Sequence, residues 1–134
     1  MTAAALIAHR PRLLVVDDEP SIAELLHIWF EPVGWDVVTA SSGPEGVARA
    51  AEHAPDAVVL DLMLPGYGGL EVLRRVRLLY PHVTVVLSTA RDSEEDRAAG
   101  IAAGADAYLV KPYSLVELER RLRVLTGPRL GSTR

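Results

Sequence analysis

At 134 residues, 49% hydrophobic and 24% charged, the chain fits one soluble globular domain with enough length to bury a core. It has no cysteine, which excludes disulfides and thiolate metal centres, and its formal net charge of −4 argues against a domain that grips a nucleic-acid backbone. The opening "MTAAALIAHRPR" lacks the leading basic region of a signal peptide, and no stretch approaches the roughly 18 apolar residues of a membrane span. A cytoplasmic protein without membrane contact is therefore expected.

Residues 1–10 read as an N-terminal extension. The first strand is "RLLVVD" (12–17), and it runs into the carboxylates Asp17, Asp18 and Glu19. Pro20 suits the first turn of a helix continuing as "SIAELLHIWF". A second strand, "WDVVTA" (35–40), precedes Ser42 and Glu45, which have capping-box spacing. "DAVVLD" (56–61) is the third strand. The helix "GLEVLRRVRLL" then places Leu70, Leu73 and Val76 on one stripe, with Arg74, Arg75 and Arg77 mostly off it. "VTVVLS" (83–88) is the fourth strand, and Ser93 with Asp96 caps the next helix. "AYLV" (107–110) is the fifth, followed by Ser114 with Glu117, again at capping spacing. No acid follows Glu119, whereas Arg120, Arg121, Arg123, Arg129 and Arg134 do, which reads as a solvated basic helix face. The Gly- and Pro-bearing residues 127–134 read as a linker or tail.

Near-continuous Val/Leu strands belong in a parallel sheet covered on both faces. Five strand–helix pairs make residues 11–126 one doubly wound α/β domain. The expected strand order is 2-1-3-4-5, flavodoxin-like, with its switch point between strands 1 and 3.

Ligands in such folds bind outside the carboxyl ends of the strands. Asp17 and Asp18 stand there after strand 1, Asp61 after strand 3, Ser88 and Thr89 after strand 4, and Lys111 after strand 5. Taken singly, each has a plainer reading: a turn aspartate, a satisfied hydroxyl, a solvated lysine. Together, at neighbouring strand ends, three carboxylates form an oxygen-rich site for a hard cation such as Mg²⁺. Lys111 and Thr89 are placed to hold an anion opposite, and Asp61 between them is positioned to attack phosphorus.

The runs "VVDDEP", "VVLDLMLPG", "STA" and "LVKPYS", in this order and spacing, resemble the response-regulator receiver domain of two-component signalling. "TARDSEEDR" and "GADAYLVKPYSLVELERRL" further resemble the OmpR/PhoB-type subfamily. The resemblance implies that Asp61 accepts a phosphoryl group from a histidine kinase. Asp18, Asp61 and the Met63 backbone carbonyl would hold Mg²⁺, with Asp17 acting largely through water. It also implies that Thr89 and Lys111 contact the phosphoryl group, that Lys111–Pro112 is cis, and that Tyr108 is the switch aromatic coupled to Thr89. The chain would then be no turnover enzyme: it would carry out self-catalysed phosphoryl transfer and slow autodephosphorylation only. Physically, an added charge near −2 can draw Thr89 forward, and the space left behind can take the amphipathic Tyr108 ring.

The subfamily's activated dimer face would include Arg97, Asp106, Glu117, Arg121 and Arg123 here. Ala102 and Ala107 stand where relatives often carry acids, which predicts a weak, phosphorylation-promoted homodimer. Gly68 replaces a common Asp, which predicts a looser loop. No winged-helix segment follows within these residues, and the sequence leaves a stand-alone receiver and a fragment both open. Three other classes compete. An aspartyl phosphatase would show Asp-x-Asp at its nucleophile, and Asp61 heads "DLM". A nucleotide or flavin binder would show a Gly-rich turn where "DDEPS" stands. A pseudo-receiver would bind a partner without phosphorylation.

Overall fold

The computed structural model describes residues 10–132, with side chains described to residue 127. Ten elements alternate: β1 (Arg12–Val16), α1 (Pro20–Phe30), β2 (Asp36–Ala40), α2 (Gly43–His53), β3 (Ala57–Leu60), α3 (Gly69–Leu79), β4 (Thr84–Thr89), α4 (Glu94–Ala102), β5 (Ala107–Val110) and α5 (Leu115–Ser132). All strand pairs are parallel and the order is β2-β1-β3-β4-β5, as expected. β1 and β3 are adjacent, so the ends of β1, β3, β4 and β5 are consecutive neighbours.

Strand alternation sends successive side chains into two apolar layers. Leu14, Val16, Val58, Leu60, Val85 and Leu87 pack with Ala50 of α2 and Val72, Leu73 and Val76 of α3. Leu13, Val15, Val59, Val86 and Leu109 pack with Leu26 and Phe30 of α1 and Leu118 and Leu122 of α5. Each such aliphatic side chain contributes about 1.5–3 kcal/mol when fully buried. The stripe of α3 is shifted from expectation: Val72 is buried and Leu70 is 38% exposed. At the entry into the helix Gly69 is buried against the backbone of Asp61 and Leu62, where an added Cβ would collide with the Asp61 carbonyl, and Leu70, the next residue around the helix, faces outward.

The caps form largely as read. Ser42, Ser93 and Ser114 accept from the backbone N–H of Glu45, Asp96 and Glu117. Glu45, however, returns to the N–H and hydroxyl of Ser41 rather than to the N-cap. Gly68 is the N-cap of α3 without a side-chain bond. The loop before it is nevertheless tied down, because Gly43 N–H donates to the Pro65 carbonyl and Tyr67 lies against Gly43. The Arg75 guanidinium stacks 4.3 Å from the centre of the Tyr67 ring.

Arg10 belongs to the folded domain: its guanidinium donates to Asp36 Oδ1 and the Trp35 carbonyl, each at 2.9 Å. The rest of the extension, residues 1–9, lies outside the described residues. At the other end α5 continues through Gly127 and Pro128 to Ser132, where a tail was expected from 127. Gly and Pro carry helix penalties of about 1 and 3 kcal/mol. The anchored turns at Leu118, Leu122 and Thr126, whose hydroxyl donates to the Leu122 carbonyl, carry the helical backbone past them.

Candidate functional site

β1 and β3 end one residue before an aspartate, which delivers Asp17 and Asp61 side by side at the carboxyl edge of the sheet. Both are almost fully buried, whereas Asp18 is exposed. Each buried carboxylate is anchored by one oxygen: Asp17 Oδ1 accepts from Glu19 N–H at 2.9 Å, and Asp61 Oδ1 from Met63 N–H at 3.0 Å. The second oxygens converge on Lys111. Its ammonium donates to Asp17 Oδ2 at 2.8 Å and to Asp61 Oδ2 at 2.9 Å, with Glu19 at 3.9 Å. Burial opposes the charge on Lys111, but the hydrogen bonds and charges of Asp17 and Asp61 outweigh it and hold its pKa at about 12. Lys111 is therefore a permanent cation, and it is engaged by the acids rather than free to face an outside anion.

Carboxylate oxygens from Asp17, Asp18 and Asp61 all lie within 4.8 Å of one another. An all-oxygen, net-anionic donor set with one exposed member suits a hard divalent cation that keeps several waters. The residues fit a metal. Met63 brings its backbone beside Asp61, and its side chain projects outward, 55% exposed.

Thr89 closes β4 and is fully buried. Its Oγ1 accepts from Arg91 N–H at 3.3 Å, inside its own loop. Tyr108 is buried, and its hydroxyl donates to the Arg91 carbonyl at 2.7 Å. Burial pushes that phenol up, with Asp96 adding to it. Thr89 and Tyr108 thus share Arg91 as a neighbour. Gly100 of α4 makes the space for the ring, since a Cβ there would lie 3.2 Å from Tyr108 Cδ2. Lys111–Pro112 is cis.

The charges assigned to an interface already have partners within the chain. Arg97 pairs with Asp92 at 3.0 Å and lies over the Tyr108 ring. Glu117 pairs with Arg120 and Arg121 of its own turns, and Arg123 with Glu119. Asp106 Oδ2 faces inward to Arg77 and Val85 N–H. Two groups, one at the far edge of the sheet and one beside the site, were not singled out from the sequence. Arg77, set aside with the solvent-facing arginines, reaches the carbonyls of Pro81, Val83 and Gly104 as well as Asp106. Arg91 spans the mouth, its guanidinium 3.0 Å from Asp96 and 3.3 Å from Met63 Sδ. No short-range pattern marks either, because their partners lie on other elements.

A doubly wound α/β domain with an acidic pocket and one lysine at its switch-point edge defines the class of molecule. Residues 13–123 match the family model described as the response regulator receiver domain, and the chain belongs to that family. Its relatives are OmpR/PhoB-type transcriptional regulators. It is 47% identical over 114 residues to the transcriptional regulatory protein TrcR of Mycobacterium tuberculosis, covering 85% of this chain and 44% of that protein. It is 43% identical over 117 residues to the alkaline phosphatase synthesis transcriptional regulatory protein PhoP of Bacillus subtilis, covering 85% of this chain and 48% of that protein. The chain thus spans about half the length of the curated relatives it matches. Among solved structures, the receiver domain of the Francisella response regulator 1452 aligns with TM-score 0.83 and 32% identity, over 90% of this chain and 99% of that one. The BeF3-activated DrrB receiver domain aligns with TM-score 0.81 and 32% identity, over 87% and 97%.

Proposed function

We propose that the chain takes a phosphoryl group from a phosphohistidine of a histidine kinase onto Asp61, and thereby switches a protein-interaction face that controls transcription. The single observation carrying this is the convergence of Asp17, Asp18, Asp61 and Lys111 at one edge of the sheet. Asp61 is held at Oδ1 by Met63 N–H, which orients its carboxylate for in-line attack on phosphorus. The phosphorus–nitrogen bond of the donor breaks as the phosphorus–oxygen bond to Asp61 forms. Lys111 exchanges its Asp61 contact for a phosphoryl oxygen while keeping Asp17. Mg²⁺ held by Asp17, Asp18, Asp61 and the Met63 carbonyl would neutralise charge on the transferred group. Thr89 releases Arg91 N–H and donates its hydroxyl to the phosphoryl group, and Tyr108 follows through their shared contact with the 89–91 turn.

The domain itself contacts neither nucleic acid nor membrane in this reading; among the described residues no helix is long and apolar enough to cross a bilayer. It works in the cytoplasm, turns over no substrate beyond its own slow dephosphorylation, and dimerises weakly when phosphorylated. Incubation with acetyl phosphate and Mg²⁺, read by intact mass, tests the assignment. Wild type gains one phosphoryl group and Asp61→Asn gains none. Equal labelling of the two would overturn the assignment, and labelling of neither would favour a receiver-like interaction module.

A further inference from the structure

Ser88 and Thr89 are neighbours on β4, so their side chains leave opposite faces of the sheet. Thr89 serves the acidic site. Ser88 turns toward the layer under α1 and α5, where Val86 also points, and is 1% exposed. Its Oγ is a buried side-chain polar atom without a hydrogen-bond partner among the described residues. Native interiors rarely leave such a group unmatched. The polar group acting on it is the Tyr113 phenol, two residues beyond Lys111 and packed half-buried against the same apolar layer. Burial pushes the phenol up and the Ser88 hydroxyl acts against that, while the charges of Lys111, Asp17 and Asp61 also reach it. The Tyr113 phenol thus lies within reach of the Ser88 hydroxyl, and no hydrogen bond joins the two in this structure.

The turn that carries Lys111 already has one tie to β4, the Lys111 N–H donating to the Thr89 carbonyl at 2.8 Å. The Lys111 side chain is tied instead to Asp17 and Asp61, which follow β1 and β3. A cavity of about 420 Å³, lined by Glu19, Ile22, Lys111, Pro112, Tyr113 and Leu115 among others, adjoins the turn.

We propose that Ser88 and Tyr113 form a second tie, a hydroxyl pair on the far face of the sheet that positions Lys111 relative to Thr89. Both groups that meet the transferred phosphoryl then move as one body. The proposal rests on the phosphoryl-acceptor reading above, with Tyr113 as a positioning residue that never touches the donor.

The test uses Tyr113→Phe, Ser88→Ala and the double variant in the full chain. Initial rates of phosphoryl uptake are measured against acetyl phosphate concentration at saturating Mg²⁺, with the side-chain ammonium resonance of Lys111 recorded by NMR. Each single variant should lower the maximal rate about threefold to tenfold, the effect of one hydrogen bond. The donor half-saturation should stay unchanged, and the double variant should lose no more than the worse single. Full rates in Tyr113→Phe, or losses that add in the double variant, overturn the pair. If wild type takes up no phosphoryl group, the acceptor reading fails and the NMR arm decides alone. An equal displacement of the Lys111 resonance in both singles supports the tie, and an unmoved resonance refutes it.

Discussion

Lys111 Nζ lies 2.9 Å from Asp61 Oδ2, so a cation from the β5 edge occupies the carboxylate oxygen that the proposed chemistry needs. Asp17 shares the same ammonium at 2.8 Å. Two buried acids thus share one ammonium, which leaves the trio with a net negative charge and is weaker compensation than a dedicated partner for each.

Lys111→Ala should cost about 2–4 kcal/mol, because it leaves two buried carboxylates without their cation. Saturating Mg²⁺ should recover part of that loss, and more than it adds to wild type. The folded pKa of about 12 stands above the ordinary 10.5, so the stabilisation is fully present below pH 10.5 and is lost as pH rises through 12. Urea midpoints with and without Mg²⁺ check this; identical midpoints for variant and wild type would contradict it.

Asp18 is the exposed member of the acidic cluster and, among the described residues, makes no hydrogen bond comparable to those of Asp17 and Asp61. Asp18→Ala should keep the fold and melt slightly higher without metal, since it relieves repulsion. It should also abolish the Mg²⁺-induced rise in melting temperature seen for wild type. Thermal scans across a Mg²⁺ titration separate the two effects.

Gly100→Ala sets two effects against each other. The helix interior gains about 1 kcal/mol. The added Cβ would lie 2.6 Å from Leu87 Cδ1 and 3.2 Å from Tyr108 Cδ2, and overpacking of this kind costs about 1–3 kcal/mol. A net loss near 1 kcal/mol is expected, with the Tyr108 ring displaced and its bond to the Arg91 carbonyl lost. Denaturant unfolding and the ring resonances of Tyr108 report on both; a more stable variant with unmoved Tyr108 signals would go against it.

Arg77→Leu should destabilise by about 2–4 kcal/mol, since Asp106 loses an ion pair at 2.9 Å and the carbonyls of Val83 and Gly104 lose a donor. These contacts sit at the edge of the sheet opposite the acidic cluster. Phosphoryl uptake by the folded variant should therefore match wild type at low temperature.

The face built by α4, β5 and α5 exposes Ile101, Val116 and Val124, while its charges are satisfied at home. Trading an existing exposed pair for one across a two-fold axis contributes only about 0–1 kcal/mol. Sedimentation should give a monomer for the unmodified chain and a weak dimer with beryllofluoride bound. A tight unmodified dimer, or no mass shift at high concentration with the mimic, would count against this.

Local pattern alone determined the elements, their parallel order and the strand-end positions of Asp17, Asp18, Asp61, Thr89 and Lys111. Apolar periodicity, caps and the rule for strand ends act over a few residues, and each is readable without knowing what lies across the sheet. The family's motifs added the cis bond at Pro112 and the roles proposed for Met63 and Tyr108. What only the tertiary structure decided is partnership: that Lys111 is already held by Asp17 and Asp61, and that Asp106 turns inward to Arg77. It also decided that Gly69 meets the backbone after β3 while Leu70 leaves the apolar stripe, and that Arg10 belongs to the domain. A side chain's conformation is chosen by charges and volumes from segments up to 94 residues away, as Lys111 and Asp17 are, and no periodicity in the chain encodes that proximity.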